Sequence, residues 1–308
     1  MGEDYPKTLM DMETRFSSDS ACREYLEALR WPNGFFCPLC GGVKAVRMPR
    51  GLWRCRSCNR QTSVLAGTVF QDTHLPLTVW FRAMWHMTSQ KNGISALGLQ
   101  RVLGLGSYRT AWLMLHKLRR AMVRPGRDRL QGVVEVDETY WGGREEGVIG
   151  RGAEAKTLIA VAVEVKGTDI GRIRLARVPD FSGDTLHNFI TFAVETESTV
   201  RTDGLPAYLG MKGYTHDRQI QKHQPAGEHL LPHVHRIISL LKRWLLGTHQ
   251  GAIAHEHLDE YLAEFTFRFN RRLSRSRGKL FYRLAQQAVH VTPQPYSTVT
   301  NPQPVVQL

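Results

Sequence analysis

The sequence predicts an α/β protein, in which a mixed sheet with flanking helices follows a small cysteine-rich unit and a helical unit. Two C-x2-C pairs lie close together near the N-terminus. Between residues 76 and 122 the apolar residues recur with the period of a helix, and beyond residue 132 β-branched runs alternate with amphipathic helical segments. A chain of 308 residues is long enough for two or three compact units.

The charge of the chain points to a polyanionic partner. Lys and Arg number 41 against 28 Asp and Glu, which gives a formal net charge of +13. A basic surface of that size attracts nucleic acid. No apolar run reaches the roughly 20 residues of a membrane span, and the first residues are acidic and polar, unlike a secretion signal. We therefore expect a cytoplasmic, nucleoid-associated protein without a membrane partner.

Residues 1–70 are predicted to hold an N-terminal helix and a zinc ribbon. A capping Ser or Asp precedes helical spacing at residues 19–30, and a Trp-Pro-Asn-Gly turn ends the helix. The two cysteine pairs that follow are separated by fourteen residues, and each can form a tight knuckle around one metal ion. Buried thiols or a disulfide pair are the alternative, and Cys22 is left over. The predicted ligands of a structural Zn²⁺ are Cys37, Cys40, Cys55 and Cys58.

Residues 71–123 are predicted to form a helical DNA-binding unit. The segments 94–103 and 108–122, joined by the turn LGLGS, have the pattern of a helix-turn-helix, although ordinary helical bundles share it. The second segment is the expected groove-facing helix. Arginines also crowd the hairpin between the cysteine pairs, either to contact phosphate or as solvated charge. The predicted DNA-binding residues are Arg54, Arg56, Arg109, Lys117, Arg119 and Arg120.

A linker is expected at 124–132, because this segment contains Pro and Gly, is highly charged and has no core pattern. Residues 133–290 then form the sheet domain, whose first three strands are plausibly a meander, and residues 291–308 are expected to be a disordered tail. The expected strands are 133–136, 158–165, 173–178, 199–202 and about 218–221, and the expected helices are 184–195, a short one near residue 207, 233–246 and 256–270.

Two aspartates follow predicted strands of this domain. Asp137 ends an apolar run in VVEVDETYWGG, and Asp203 ends STVRTDG. If the two strands are neighbours, both carboxylates emerge at one rim of the sheet and can share a hard divalent cation. Two turn-capping carboxylates are the alternative interpretation.

The chain resembles the insertion-sequence transposases of the DDE superfamily that carry a zinc ribbon and a ribonuclease-H-like catalytic domain. The resemblance covers nearly the whole chain, through CREYLEALRWPNGFFCPLCGG, VDETYWGG, TDG, LLKRWLLGTH and EYLAEFTFRFNRR. It implies a ribonuclease-H-like mixed sheet. It also implies that Asp137 and Asp203 are the first two members of a catalytic triad.

The third member in these enzymes lies on a long helix, with a basic residue seven positions later. His235 lies seven residues before Lys242 and 32 residues after Asp203. Most of the superfamily has Glu at this position, whereas this group admits His or Asn, and imidazole is a poorer ligand than carboxylate for magnesium. Glu228 and Glu256 are alternatives that lack the basic partner. His235 could also be a solvated member of a stretch rich in histidine.

The resemblance implies strand cleavage and strand transfer at the ends of an insertion sequence. Two Mg²⁺ or Mn²⁺ ions held by Asp137, Asp203 and His235 would activate water and stabilise the leaving 3′ oxygen, and Lys242 would contact a phosphate. The expected partners are double-stranded DNA, as terminal inverted repeats and as target, and a second copy of the chain in a homodimer or higher oligomer. A ribonuclease-H-like nuclease without strand transfer, and an inactive transposase-derived DNA-binding protein, are the competing interpretations.

Overall fold

The computed structural model describes residues 3–124, 126–142, 156–220 and 230–300. The chain divides into two compact units. The first unit combines the residues up to Arg124 with the segment that starts at Leu273. The second unit is formed by the residues between them, from Pro125 to Arg272. Within the part of the chain described, no helix has the length and apolar character needed to cross a membrane.

The first unit begins with two helices, a three-stranded hairpin sheet and three more helices. Ser18 caps the second helix through its side chain, which accepts a 3.3 Å hydrogen bond from the amide of Ala21, as the capping signal predicts. The first helix is not among the predicted elements. The elements are α1 (Leu9–Arg15), α2 (Asp19–Arg30), β1 (Ala45–Met48), β2 (Leu52–Cys55), β3 (Gln61–Ser63), α3 (Leu77–Ser89), α4 (Ala96–Leu103) and α5 (Tyr108–Arg120).

The second unit is a five-stranded mixed sheet with helices on both faces, which confirms the predicted α/β class. Its strand order is β6-β5-β4-β7-β8, in which β4, β5 and β6 are an antiparallel meander and β4, β7 and β8 are parallel. The elements are β4 (Val133–Trp141), β5 (Thr157–Lys166), β6 (Asp169–Val178), α6 (Gly183–Ala193), β7 (Thr199–Thr202), β8 (Thr215–Arg218), α7 (Pro232–His249) and α8 (Leu258–Phe269).

Alternation along the strands separates two cores. Ile159 and Val161 of β5 pack with α7 and α8 on one face, whereas Val134 and Val136 of β4 pack with α6 on the other. Because Asp137 is paired with Val161, the odd-numbered residues of β4 lie on the face that α7 covers. Leu130, expected in the linker, is instead buried and forms an isolated parallel bridge with Val194.

The chain returns to the first unit with α9 (Arg277–Ala288) and α10 (Tyr296–Thr300). The sequence predicts a sheet domain that extends to residue 290, but α9 packs on α2 and α3, because its apolar face is buried against aromatic side chains that include Tyr25 and Phe81. The expected disorder from residue 291 also differs from the structure, since Val299 of α10 is buried. The rest of that tail, residues 301–308, lies outside the described residues.

Candidate functional site

The four predicted zinc ligands converge in the hairpin of the first unit. Their Sγ atoms all lie within 4.8 Å of one another, with 3.7 Å between Cys37 and Cys58 and 3.6 Å between Cys40 and Cys55. Each pair forms the same knuckle, closed by one backbone hydrogen bond of 3.0 Å. The amide of Gly41 donates to the carbonyl of Cys37, and the amide of Asn59 donates to the carbonyl of Cys55. Gly41 and Asn59 have positive φ angles of 71° and 60°, which such a tight turn requires.

The geometry fits a tetrahedral zinc. Four sulfurs at about 2.3 Å from a central ion lie about 3.8 Å apart, close to the separations in the hairpin. Hydrogen bonds from the amides of Cys58 and Ser57 lower the pKa of Cys55 to about 6, which favours its thiolate form. For Cys40, the amide of Gly42 lowers the pKa, but the neighbouring thiols of Cys58 and Cys55 outweigh it and raise the pKa to about 12. Cys22 is separate from this cluster and buried in α2, where burial raises its pKa to about 12. The four clustered cysteines therefore fit a structural zinc ion.

The predicted DNA-binding residues differ in their exposure. Arg54 and Arg56 are exposed on the hairpin. Arg109, at the start of α5, is also exposed, with its guanidinium 4.1 Å from the ring centroid of Tyr296.

The later basic residues of α5 are less accessible. Arg119 is only 1% exposed, Lys117 and Arg120 are half-buried, and burial lowers the pKa of Lys117. The helix turns its middle and C-terminal part inward because Met114, Leu115 and Leu118 are core residues. The burial of Arg119 argues against a phosphate contact by this residue.

Asp137 lies within β4, and Asp203 directly follows the neighbouring parallel strand β7. The parallel register of β4 and β7 pairs Val133 with Thr199 and ends with the pairing of Glu135 and Arg201. Two residues further along each strand, Asp137 and Asp203 therefore occupy corresponding positions. The side chain of Asp137 points towards the α7 face, and the charge of Asp203 acts on His235 of that helix.

The prediction that Asp137 ends its strand is wrong. β4 continues to Trp141, because residues 137–141 still pair with β5, down to Trp141 with Thr157. Only the pairing with β7 stops before Asp137. The rim that carries the two aspartates is thus set by the end of the shorter strand β7. The last predicted strand is also displaced, since β8 ends at Arg218.

Both aspartates bind a local backbone amide through Oδ1. Asp137 accepts a 2.8 Å bond from Glu138, and Asp203 accepts a 2.9 Å bond from Leu205. The bond of Asp203 to Leu205 is what the turn-capping alternative requires, whereas Asp137 lies within β4 and caps no turn. The second oxygen of Asp137 has a different partner, because Oδ2 lies 3.2 Å from Nε2 of His235. The side chain of Asp137 is 17% exposed and that of His235 is 49% exposed, so this contact is accessible to solvent and ligands.

His235 and Lys242 share one face of α7 near these carboxylates. The hydrogen bond to Asp137 raises the pKa of His235 against the effect of burial, and the charges of Asp137, Glu135 and Asp203 add to the increase. Burial lowers the pKa of Lys242, while the charge of Asp137 opposes that shift. The side chains of His235 and Lys242 therefore both interact electrostatically with Asp137.

The chemistry of this donor set fits a hard cation, because Asp137 and Asp203 supply the carboxylate oxygens that such ions prefer. Among the described residues, however, Asp137, Asp203 and His235 do not form a group whose ligand atoms all lie within 4.8 Å of one another. Asp137 and His235 are in contact, whereas Asp203 lies at the same rim with one oxygen bound to its own turn.

The alternative acids are less favourably located or not described. Glu256 is exposed in a short 3-10 turn after α7 ends, whereas His235 lies near the start of that helix. Glu228 lies outside the described residues, as does His229 of the histidine-rich stretch. Of the two alternative acids for the third metal ligand, Glu256 is thus the one within the described residues.

Two contacts near the aspartates were not foreseen from the sequence. The buried hydroxyl of Tyr208 donates a hydrogen bond to Glu138 on the α6 face, and burial and nearby acids raise the pKa of that tyrosine. On the α7 face, Glu135 binds the start of α7. The period-two pattern of β4 puts Glu135 on the same face as Asp137, which is the one sequence signal for its proximity.

Comparison with known proteins finds two transposase domains in the chain. Residues 129–270 match the model of the ISXO2-like transposase domain, and residues 17–61 match that of the transposase zinc-ribbon domain. These two matches confirm the resemblance to the zinc-ribbon insertion-sequence transposases. The first match contains Asp137, Asp203, His235 and Lys242, and the second contains all four clustered cysteines.

One relative and one solved structure complete the comparison. The chain is 29% identical over 297 residues to an uncharacterized protein in transposable element ISH50 of Halobacterium salinarum, and the match covers 88% of this chain and 96% of that relative. The catalytic core domain of BIV integrase is 16% identical, with a TM-score of 0.29, and the match covers 44% of this chain and 81% of that one.

Proposed function

We propose that this transposase binds the terminal inverted repeats of its insertion sequence, cleaves strands at their ends and joins the resulting 3′ ends to target DNA. The observation that carries the proposal is the shared rim. Asp137 of β4 and Asp203, which directly follows β7, occupy corresponding positions on two neighbouring parallel strands, and His235 contacts Asp137. Such a site suits phosphodiester chemistry, because negative charges gathered at one point attract divalent cations.

Asp137, Asp203 and His235 are the residues that would hold the metal. Bound Mg²⁺ or Mn²⁺ would supply Lewis-acid chemistry at the scissile phosphate. Asp137 offers Oδ2 to the shared site, and His235 offers Nε2 from α7. Lys242, on the same helix face as His235, would contact a phosphate near the reacting bond. Since imidazole binds Mn²⁺ more readily than Mg²⁺, Mn²⁺ should support the faster reaction.

The zinc ribbon and the start of α5 would bind the DNA ends. Arg54, Arg56 and Arg109 are exposed and positively charged, so they can contact phosphates. Zinc would act structurally here, by fixing the hairpin that carries Arg54 and Arg56. Two ends must be processed together, and we therefore expect at least a dimer on DNA.

The direct test is incubation of the full chain with DNA that bears the element's own ends, with Mg²⁺ or Mn²⁺. Cleaved ends followed by joined products are expected. Asp137→Ala and Asp203→Ala should abolish both products with little change in affinity for the ends. Cleavage without joining would favour a nuclease, and binding without cleavage in the parent protein would favour an inactive DNA-binding derivative. If either variant cut at the parent rate, the aspartates would not be metal ligands.

A further inference from the structure

Glu135 is a fully buried carboxylate that joins the central strand β4 to the start of α7. Its Oε2 accepts hydrogen bonds of 2.9 Å from the amide of His233 and 2.8 Å from that of Val234. Its Oε1 lies 2.7 Å from Nδ1 of His233. All three contacts join residues that are almost one hundred positions apart in the chain.

These bonds meet a need that the helix itself creates. The first amides of any helix have no acceptor within the helix. α7 begins with Pro232 and receives no side-chain cap from Leu231, so the amides of His233 and Val234 depend on another partner. A carboxylate is a favourable acceptor because its charge also stabilises the positive end of the helix dipole. Burying that carboxylate is in turn tolerable because it is hydrogen-bonded.

The contact between Glu135 and His233 lies two residues from two members of the candidate metal site. Asp137 follows Glu135 by two residues on the same face of β4, and His235 follows His233 by two residues on α7. Displacing the start of the helix would therefore change the 3.2 Å approach of His235 Nε2 to Asp137 Oδ2. Outer contacts of this kind orient the groups that ligate a metal.

We propose that Glu135 is a positioning residue, which sets the distance between His235 and Asp137 by fixing the start of α7 against β4. This inference rests on the proposed function, since it assumes that His235 and Asp137 hold one cation. The competing account is that Glu135 stabilises the fold alone. Glu164 of β5 offers a matched control, because it is also buried but binds Arg172 of the adjacent strand, at 2.8 Å.

The test is the affinity of the full-length protein for Mn²⁺, measured by calorimetry without DNA. Glu135→Ala should weaken binding about 10- to 100-fold, the usual effect of losing an outer-shell partner. Glu135→Asp keeps the carboxylate but shortens the side chain by one methylene group, and it should also weaken Mn²⁺ binding. Glu135→Gln, whose amide oxygen can still accept from the helix, should bind nearly as the parent. Glu164→Ala should reduce thermal stability and leave Mn²⁺ affinity unchanged.

A double-mutant comparison separates positioning from stability. If Glu135 acts through His235, then Glu135→Ala should add nothing to the loss caused by His235→Ala. Additive losses, or parent-like Mn²⁺ affinity in both Glu135→Ala and Glu135→Asp, would overturn the positioning role. Asp137→Asn is the reference for the proposed function itself. If Asp137→Asn bound Mn²⁺ as the parent does, the proposed metal site would be wrong. If Asp137→Asn lost Mn²⁺ binding while the Glu135 variants kept it, only the positioning role would be rejected.

Discussion

Replacing Phe281 by Ala should loosen the first unit, although this residue follows the whole sheet domain in sequence. Phe281 is fully buried, and the centroid of its ring lies 5.5 Å from that of Phe81, 5.8 Å from that of Phe16 and 6.0 Å from that of Trp85. Truncating a buried Phe costs about 3–5 kcal/mol, since the cavity relaxes only in part. At about 1.4 kcal/mol for each tenfold change, local opening should increase roughly a hundred- to several-thousand-fold.

Hydrogen exchange resolved by peptide can measure this effect. Peptides from α2 and α3 should exchange faster in Phe281→Ala, because α9 packs on both helices. Phe267→Ala is the matched control, since Phe267 is equally buried but belongs to α8 of the second unit. That variant should accelerate exchange in α8 and β6, which pack together. The reasoning is refuted if Phe281→Ala leaves α2 and α3 unchanged and accelerates exchange in the sheet instead.

Three further predictions concern the metal, the pH dependence and the DNA. Cys55→Ser should lose the bound zinc, and one zinc ion per chain in the variant would contradict the four-cysteine site. Burial raises the pKa of Glu164, but bonds from Arg172 outweigh that effect and lower it. The stabilising contribution of Glu164 is therefore present above its unfolded pKa of about 4.3 and is lost as pH falls through its lower folded pKa. In urea denaturation, the free energy of unfolding of the parent should exceed that of Glu164→Gln, and this difference should shrink below about pH 4. A difference in stability between the parent and Glu164→Gln that does not change with pH would contradict this prediction. Removing Arg54 and Arg56 together should lower the salt dependence of end binding by up to about 1.8 on the log–log plot, at about 0.9 for each phosphate contact, and an unchanged slope would exclude both contacts.

Local signals in the sequence predicted most of the first unit and the class of the second. The bounds predicted for α2 agree with the structure because its cap and its terminal turn are encoded within a few residues. The zinc ribbon was equally accessible, since spacing alone defines it. The neighbouring positions of Asp137 and Asp203 followed once β4 and β7 were assumed to pair, and the register confirms that pairing.

Long-range packing explains what the sequence did not predict. The extension of β4 to Trp141 depends on its partner β5, and the placement of α9 depends on an aromatic core built by residues far earlier in the chain. The basic stretch before α9 also obscured its buried face. Burial of Arg119 and the three bonds of Glu135 arise from tertiary contacts that no local pattern contains.

The central claim is that Asp203 and Asp137 ligate the metal that serves DNA cleavage, and Asp203→Cys tests it most directly. A thiolate is a soft ligand that binds Mn²⁺ better than Mg²⁺, and metal coordination deprotonates the thiol. Cleavage of the element's ends by this variant should be lost in Mg²⁺ and recovered in Mn²⁺, while Asp203→Ser should stay inactive in both. Parent-like cleavage by both variants in Mg²⁺, or the same inactivity of both in Mn²⁺, would contradict ligation by Asp203.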